Sequence, residues 1–300
     1  MHSTTTSSPT GTAEIIHSQQ GVSLCFVPNP RHRSMRVIDF RSGVHPAKSL
    51  VVARVARQHG AERVFTLVER DEVSTWSRLG FEREGTIPGY YKRSDAWVLG
   101  TTVDRLSPPG VDESGMRRAP VDSDGTTAER TVQQARRDPR VQSPPTSASV
   151  RLQPARDAEL RRAVAAAGRA RRALTGFEPF GRDVTREFHL CTARGGFSLV
   201  LGVERQRCFD NAFLELLVAP RTEKEAASTS VAVGLLCDVL LGEQVTCCFA
   251  LSPADDLDLA VVYLANGFRK SGLLRAHLLR RDDRVDALLW SRKLATPADG

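Results

Sequence analysis

The sequence predicts an α/β protein whose strands form mixed sheets, a partial copy of one unit being followed by a fuller copy. Strand-like and helix-like patterns alternate after an antiparallel meander in both halves of the chain, which calls for mixed sheets with helices on both faces. A polar stretch divides the halves. The halves also end alike: LGFEREGTIPGYYKRSDAWVLG closes the first and NGFRKSGLLRAHLLRRDDRVDALLW the second. Each ending has Gly-Phe, a Gly four or five residues on, a polar loop, then Asp-Ala before an apolar strand.

The first unit spans 13–100, after a tail, 1–12, too polar to be held in a core and so expected to be disordered. AEIIHSQ and VSLCFVP read as a strand pair turning at Gln20-Gly21, and SMRVIDF as a third strand. AKSLVVARVARQHG carries apolar residues at helical spacing and stops at His-Gly. RVFTLVE is a strand, DEVSTWSRLGF a short helix entering a Gly turn, and SDAWVLG the last strand. Residues 101–150 are rich in Pro, Ser, Thr, Asp and Arg, with scarcely a large apolar side chain, which reads as a flexible linker. The second unit, 151–294, opens with the helical ARDAELRRAVAAAGRARRAL and continues with three strands, FHLCTAR, FSLVLGVERQ and NAFLELLVAP. SVAVGLLCDVLLGE is an apolar helix, QVTCCFALSP a buried strand, DDLDLAVVYLANGF a helix ending at Gly267, and VDALLWSRKL the final strand.

Composition bounds the function classes. At 300 residues, 41 % hydrophobic and 26 % charged, the chain has enough apolar material for two cores. The longest apolar stretch, 231–241, contains Asp238 and is shorter than the roughly 20 residues needed to cross a bilayer, so no membrane partner is expected. The start has neither a basic nor an apolar leader region, which reads as a cytoplasmic protein. The six cysteines lack CxxC or Cys/His ligand spacing and read as buried free thiols, with no metal site. The net charge of +7 comes from dispersed arginines, not from a basic run interleaved with aromatics, so nucleic acid is not the expected partner. The densest set, RRAVAAAGRARRAL, has the spacing of a solvated helix face.

The strand order and the endings resemble the GNAT acetyltransferase superfamily, in which a strand, a helix, a strand and a second helix carry acetyl-CoA. The Tyr-x-x-x-Gly-Phe pattern at the end of that second helix is here Tyr263, Gly267 and Phe268. ALSPADDLDLAVVYLANGFRKSGLL, with Ser252-Pro253 opening the helix, and IPGYYKRSDAWVL in the smaller unit are similar to the β-lysine N-acetyltransferase group, where a GNAT-like half precedes the catalytic domain. The resemblance covers 35–100 and 151–294. It implies acetyl-CoA as cofactor, contacted by Leu217 and Val218, and a small-molecule amine such as β-lysine as acceptor. Proton removal from an ammonium with a pKa near 10 needs a base. Glu215, a carboxylate in the otherwise apolar FLELLVAP, is the candidate, acting directly or through water, and Tyr263 is the candidate acid. The plain alternatives are that Glu215 lies on an exposed sheet face and that Tyr263 packs. In the first unit Trp76 stands where Tyr263 does, so that unit is expected to pack against the second or to shape the substrate entrance.

The pyrophosphate loop departs from the family pattern. Aligning on Pro220 sets Glu223, Lys224, Glu225 and Ala226 where Arg, Gly, any residue and Gly are expected. Both glycines that turn backbone N–H groups toward phosphate are missing, and a like charge at about 4 Å costs roughly 1 to 4 kcal/mol. Ser228, Thr229 and Ser230 are the residues left to cap the helix and donate to phosphate. Two readings therefore stand: an acetyltransferase, or a catalytically inactive relative of the same fold that binds or assembles with a protein partner.

Overall fold

The computed structural model describes residues 3–7, 13–19, 21–30, 32–41, 43–106, 125–143, 150–170, 172, 174, 180, 184–193, 197–280 and 283–295. The first half contains strands β1 (Ser3–Ser7), β2 (Ala13–Gln19), β3 (Val22–Asn29) and β4 (Ser34–Asp39), then α1 (Ala47–Gln58), β5 (Arg63–Val68), α2 (Val73–Arg78), β6 (Glu82–Ile87) and β7 (Ala96–Thr102). Helices α3 (Thr126–Arg136) and α4 (Pro139–Gln142) follow. The second half contains β8 (Val150–Pro154), α5 (Asp157–Arg169), β9 (Thr185–Ala193), β10 (Ser198–Gln206), β11 (Asn211–Leu216), α6 (Glu223–Gly242), β12 (Cys247–Pro253), α7 (Leu257–Ala265), β13 (Arg269–Arg280) and β14 (Asp283–Lys293).

All fourteen strands join in one sheet, ordered β1-β2-β3-β4-β5-β7-β6-β13-β14-β12-β11-β10-β9-β8. Reading inward from either edge gives the same order, so each strand of one half has a counterpart in the other. Among the described residues, β4 with β5 and β11 with β12 are the pairs that run in parallel. The first half is therefore smaller through its helices, since residues 8–12 alone separate β1 from β2 where α5 separates β8 from β9.

The repeated endings now have a physical cause. Trp76 and Tyr263 are buried four residues before Gly80 and Gly267, whose φ values of 92° and 74° suit glycine at a helix C-terminus. In both halves the Phe N–H returns to the carbonyl of that aromatic, Phe81 to Trp76 and Phe268 to Tyr263. The later glycines, Gly85 and Gly272, are each other's partners where β6 meets β13. A Cβ on Gly272 would stand 2.6 Å from the Gly85 Cα, and one on Gly85 would stand 2.9 Å from the Gly272 Cα. Only glycine lets the two backbones cross this closely. Asp95 and Asp286 close equivalent loops by accepting the N–H groups of Gly89 and Ala276 at 2.8 and 2.7 Å.

Three apolar clusters hold the molecule. One lies under α1 and α2, a second under α3, α6 and α7, and a third is made of strand and loop residues from both halves, among them Phe65, Tyr90, Phe213, Phe249, Leu274 and Leu289. Alternation along each strand explains the split: Ala212, Leu214 and Leu216 face the helices while Phe213 faces the third cluster. Over the central strands, the helix layer expected on the second face is replaced by the other half of the molecule.

Several expectations need correction. Ser3–Ser7, placed in the tail, pairs antiparallel with β2. The expected linker contains β7 residues up to Thr102 and the helix α3, whose Ala128, Val132 and Ala135 are buried in the second half's core. Small side chains at helical spacing suffice there, because α3 lies close against α7 and needs no bulky residue to reach it. The rest of that stretch, 107–124 and 144–149, and residues 8–12 of the tail lie outside the described residues. Strands β6, β8 and β13 are also additional to the predicted set. Helix α6 starts at Glu223, several residues before the predicted apolar run, and its 20 residues are long and apolar enough to cross a membrane by length and composition. Here it lies on the sheet with Ala232, Val233, Leu236 and Leu240 buried. Ser252-Pro253 ends β12, and Asp256 opens α7 by accepting the Leu259 N–H at 3.0 Å. Five of the six cysteines are buried; Cys208 is exposed.

Candidate active site

The parallel pairing of β11 with β12 runs from Asn211/Cys247 to Leu214/Ala250 and stops, while both strands continue. At that divergence the face turned away from the helices opens into a cleft. Phe213, Glu215, Leu251 and Pro253 line it from the second half, and Val27, Asn29, Ser34, Arg36 and Phe65 from the first. Leu174, Phe180, His277 and Leu278 complete the apolar and polar wall.

Glu215 is 5 % exposed and points to this cleft, not to an open sheet face. Its Oε2 accepts from Arg186 at 2.8 Å, so the carboxylate sits beside a cation. Gly202, its partner on β10, makes the room: a Cβ there would come within 3.2 Å of the same oxygen. Arg186 also lies 3.8 Å from Glu204, whose Oε2 accepts the Phe180 N–H at 2.7 Å.

Tyr263 occupies the other side of the sheet. It is fully buried in the helix-side core, stacked on Trp290 at 5.6 Å and edge-on to Phe268 at 5.3 Å. Burial pushes its hydroxyl pKa well up, and the nearby charges of Asp256 and Glu215 add to that push. Its Oη has no hydrogen-bond partner, a state that costs about 1 to 3 kcal/mol. Glu215 and Tyr263 thus lie on opposite faces of the sheet, and of the two Glu215 lines the cleft.

The proposed cofactor contacts fare unevenly. Leu217 donates its N–H to Val200 at 3.0 Å and its carbonyl accepts from Leu174 at 3.3 Å, so both its backbone groups are already used. Val218 is buried beside it. Ser228, Thr229 and Ser230 do not cap α6, because the helix has already begun. Ser228 and Thr229 donate back to the carbonyls of Lys224 and Glu225, and Ser230 accepts from Asn266 at 3.0 Å. Thr222 is the cap, its Oγ1 accepting the Glu225 N–H at 3.2 Å. Glu225 in turn accepts the Arg221 N–H at 2.7 Å and pairs with Arg172. Burial alone would raise the Glu225 carboxyl, but that N–H and the Arg172 guanidinium outweigh it and hold the group below its usual range.

These facts test acetyl-CoA against the site. The Tyr263 hydroxyl lacks a partner but is enclosed in the helix-side core, away from the cleft lining. The α6 terminus is different: the chain's own Glu225 carboxylate takes the cation and the loop N–H that a pyrophosphate would need, and no glycine opens the loop. As they stand, these residues do not fit the pyrophosphate.

Sequence reasoning missed Arg36 and His277. Arg36 carried the same signal as Glu215, a charge inside an apolar strand, in SMRVIDF. His277 had no comparable signal, since it reaches the cleft through an irregular stretch of β13 between Leu274 and Leu278.

Fold and site together define an α/β protein of two strand-for-strand equivalent halves that both line a central cleft. No family model matches the sequence, and no curated protein is similar to it. Among solved structures, the ribosomal-protein-S18-alanine N-acetyltransferase from Escherichia coli overlays on 50 % of this chain and 97 % of its own, at 16 % identity and a TM-score of 0.39. Spermidine N-acetyltransferase from Vibrio cholerae, in complex with CoA and spermine, overlays on 50 % of this chain and 98 % of its own, at 11 % identity and a TM-score of 0.41. Neither overlay carries a functional conclusion at these scores.

Proposed function

We propose that the chain is an N-acetyltransferase of the GNAT type that acts on the amine of a small molecule held in the central cleft. The observation that carries this is the placement of Glu215: a buried carboxylate, at the divergence of the parallel strand pair β11/β12, facing a cavity. An ammonium entering there meets a negative acceptor for its proton. Arg186 holds that carboxyl group from one side and fixes its direction. Tyr263 is the candidate acid by resemblance alone, since it is buried on the other face of the sheet. The donor is acetyl-CoA by resemblance, and β-lysine is one acceptor of the right chemistry. No step is assigned to the cofactor, because its pyrophosphate does not fit.

That misfit favours a second reading, a cofactor-free binding protein that kept the cleft. Titration of acetyl-CoA into the full chain separates the two. Micromolar binding, with acetylation of a small amine that falls about 10²-fold or more in Glu215→Gln, supports the transferase. Absence of binding up to millimolar acetyl-CoA, in the wild type and in Glu225→Gly alike, leaves the binding protein.

A further inference from the structure

Arg36 lacks what other shielded cations of the fold possess. Lys48 pairs with Asp39, Arg63 with Glu84, Arg186 with Glu215 and Arg284 with Glu62. Arg36 is 7 % exposed, lines the central cleft, and has no carboxylate in ion-pair range among the described residues. Its Nη1 donates to the Phe180 carbonyl at 2.9 Å and its Nη2 to the Tyr90 hydroxyl at 3.5 Å, while Nε donates to nothing. Two neutral acceptors and the Phe180 ring, 5.7 Å from the guanidinium carbon, do not balance a buried guanidinium, and such a charge is costly unless something completes it.

The geometry points to Arg36 as the anion-recognising group of the cleft, so that the small molecule bound there carries a carboxylate as well as an amine. Two further donors line the same cavity. Ser34 lies two residues away on the same strand face and lines the same cavity. His277 accepts the Arg63 Nε–H on Nδ1 at 3.2 Å, which leaves its proton on Nε2 in the cleft wall. A monoanion suits one guanidinium; a phosphate dianion would bring excess charge into a cavity that also contains Glu215. A planar carboxylate also matches the guanidinium fork. The two halves then divide the ligand, Arg36 of the first taking its acid and Glu215 of the second its ammonium. The amine end of this inference rests on the acceptor-site reading above.

Titrating the full chain with two ligand pairs that differ only by a carboxylate tests it: lysine against 1,5-diaminopentane, and ornithine against 1,4-diaminobutane. At least one amino acid is expected to bind tenfold or more tightly than its diamine, and Arg36→Met to reduce that affinity to the level of the diamine. Equal affinities, tighter diamine binding, or no binding of any of the four at millimolar concentration would overturn the inference. Thermal melts accompany the variant. If Arg36→Met does not fold, Arg36→Lys replaces it, keeping the charge without the fork, and an undiminished preference in that variant also overturns the inference. Acetyl transfer, measured separately, tells the two readings apart. Transfer to diamines without carboxylate preference removes this inference and leaves the transferase. Carboxylate-selective binding without transfer does the reverse.

Discussion

The two halves share a frame and differ in chemistry. Matching the parallel pairs residue for residue, Ser34/Arg63 on Asn211/Cys247, sets Arg36 on Phe213, Ile38 on Glu215 and, through the helix ends, Trp76 on Tyr263. Trp76 and Tyr263 each bury a polar atom without a partner, Nε1 in one and Oη in the other. At the position of Glu215 the first half has Ile38, and its carboxylate one residue on, Asp39, is taken by Lys48. Only the first turns a cation into the cleft from the matching strand. A duplicated sheet thus supplies two equivalent walls, and substitution at equivalent positions makes one cleft with opposite charges on its two sides.

The loops after β4 and β11 show the same divergence in their ion pairs, and here the largest stability difference is expected. In the first half Lys48 pairs with Asp39 and donates to the carbonyls of Arg41 and Gly43, its side chain only 2 % exposed. In the second half Arg172 and Glu225 are 17 % and 20 % exposed. Lys48→Met leaves Asp39 charged and buried and should cost about 3 to 5 kcal/mol. Arg172→Met leaves Glu225 near water and should cost about 1 kcal/mol. Urea denaturation of both variants measures this, and equal losses would show that the two loops are stabilised alike.

The seam should be less costly to disturb, but from both sides. Gly272→Ala places a methyl group against the Gly85 Cα and, at 2.7 Å, the Glu84 carbonyl oxygen; Gly85→Ala meets the Gly272 Cα. Neither backbone can yield alone, so each should cost about 2 to 3 kcal/mol, with strand separation as the means of relief. Gly168, in α5, has nothing within 4 Å of an added Cβ, and Gly168→Ala should stabilise by about 0.5 to 1 kcal/mol. A loss in one seam variant only would mean that the crossing is not symmetric.

This seam also shows what the sequence could reveal. The repeated Gly-Phe, Gly and Asp-Ala pattern was visible and signalled a doubled unit, yet nothing in it said that the second glycine of each copy touches the other. That contact joins residues far apart in the chain, and one-dimensional spacing carries no trace of it. The α3 contact was hidden for a different reason: Ala128 and Ala135 are buried by close approach, while composition counts only bulky residues as core. Glu215 was legible because an apolar strand made it conspicuous. Its partner Arg186 was not, since an arginine at the polar start of a strand looks ordinary.

The smallest effect concerns pH and again depends on which half is affected. His277 of the second half accepts the Arg63 Nε–H from the first, and burial, then the Arg63 charge, holds its pKa well below the ordinary value of 6.5. In the unfolded chain the imidazole titrates near 6.5. Because the folded value is lower, the unfolded state binds more protons below that pH, and stability is full above it and falls as the solution is acidified. One such histidine contributes a slope of at most about 1.4 kcal/mol per pH unit. His17 in the first half and His189 in the second are shifted the same way, each mainly by burial, and add to the slope. Replacing His277 with Gln keeps an acceptor for Arg63 but removes the titration. Urea midpoints measured from about pH 7.5 to about pH 5.5 should therefore fall less steeply in His277→Gln than in the wild type. Equal slopes would assign the acid sensitivity to His17 and His189, that is, to the halves and not to the seam between them.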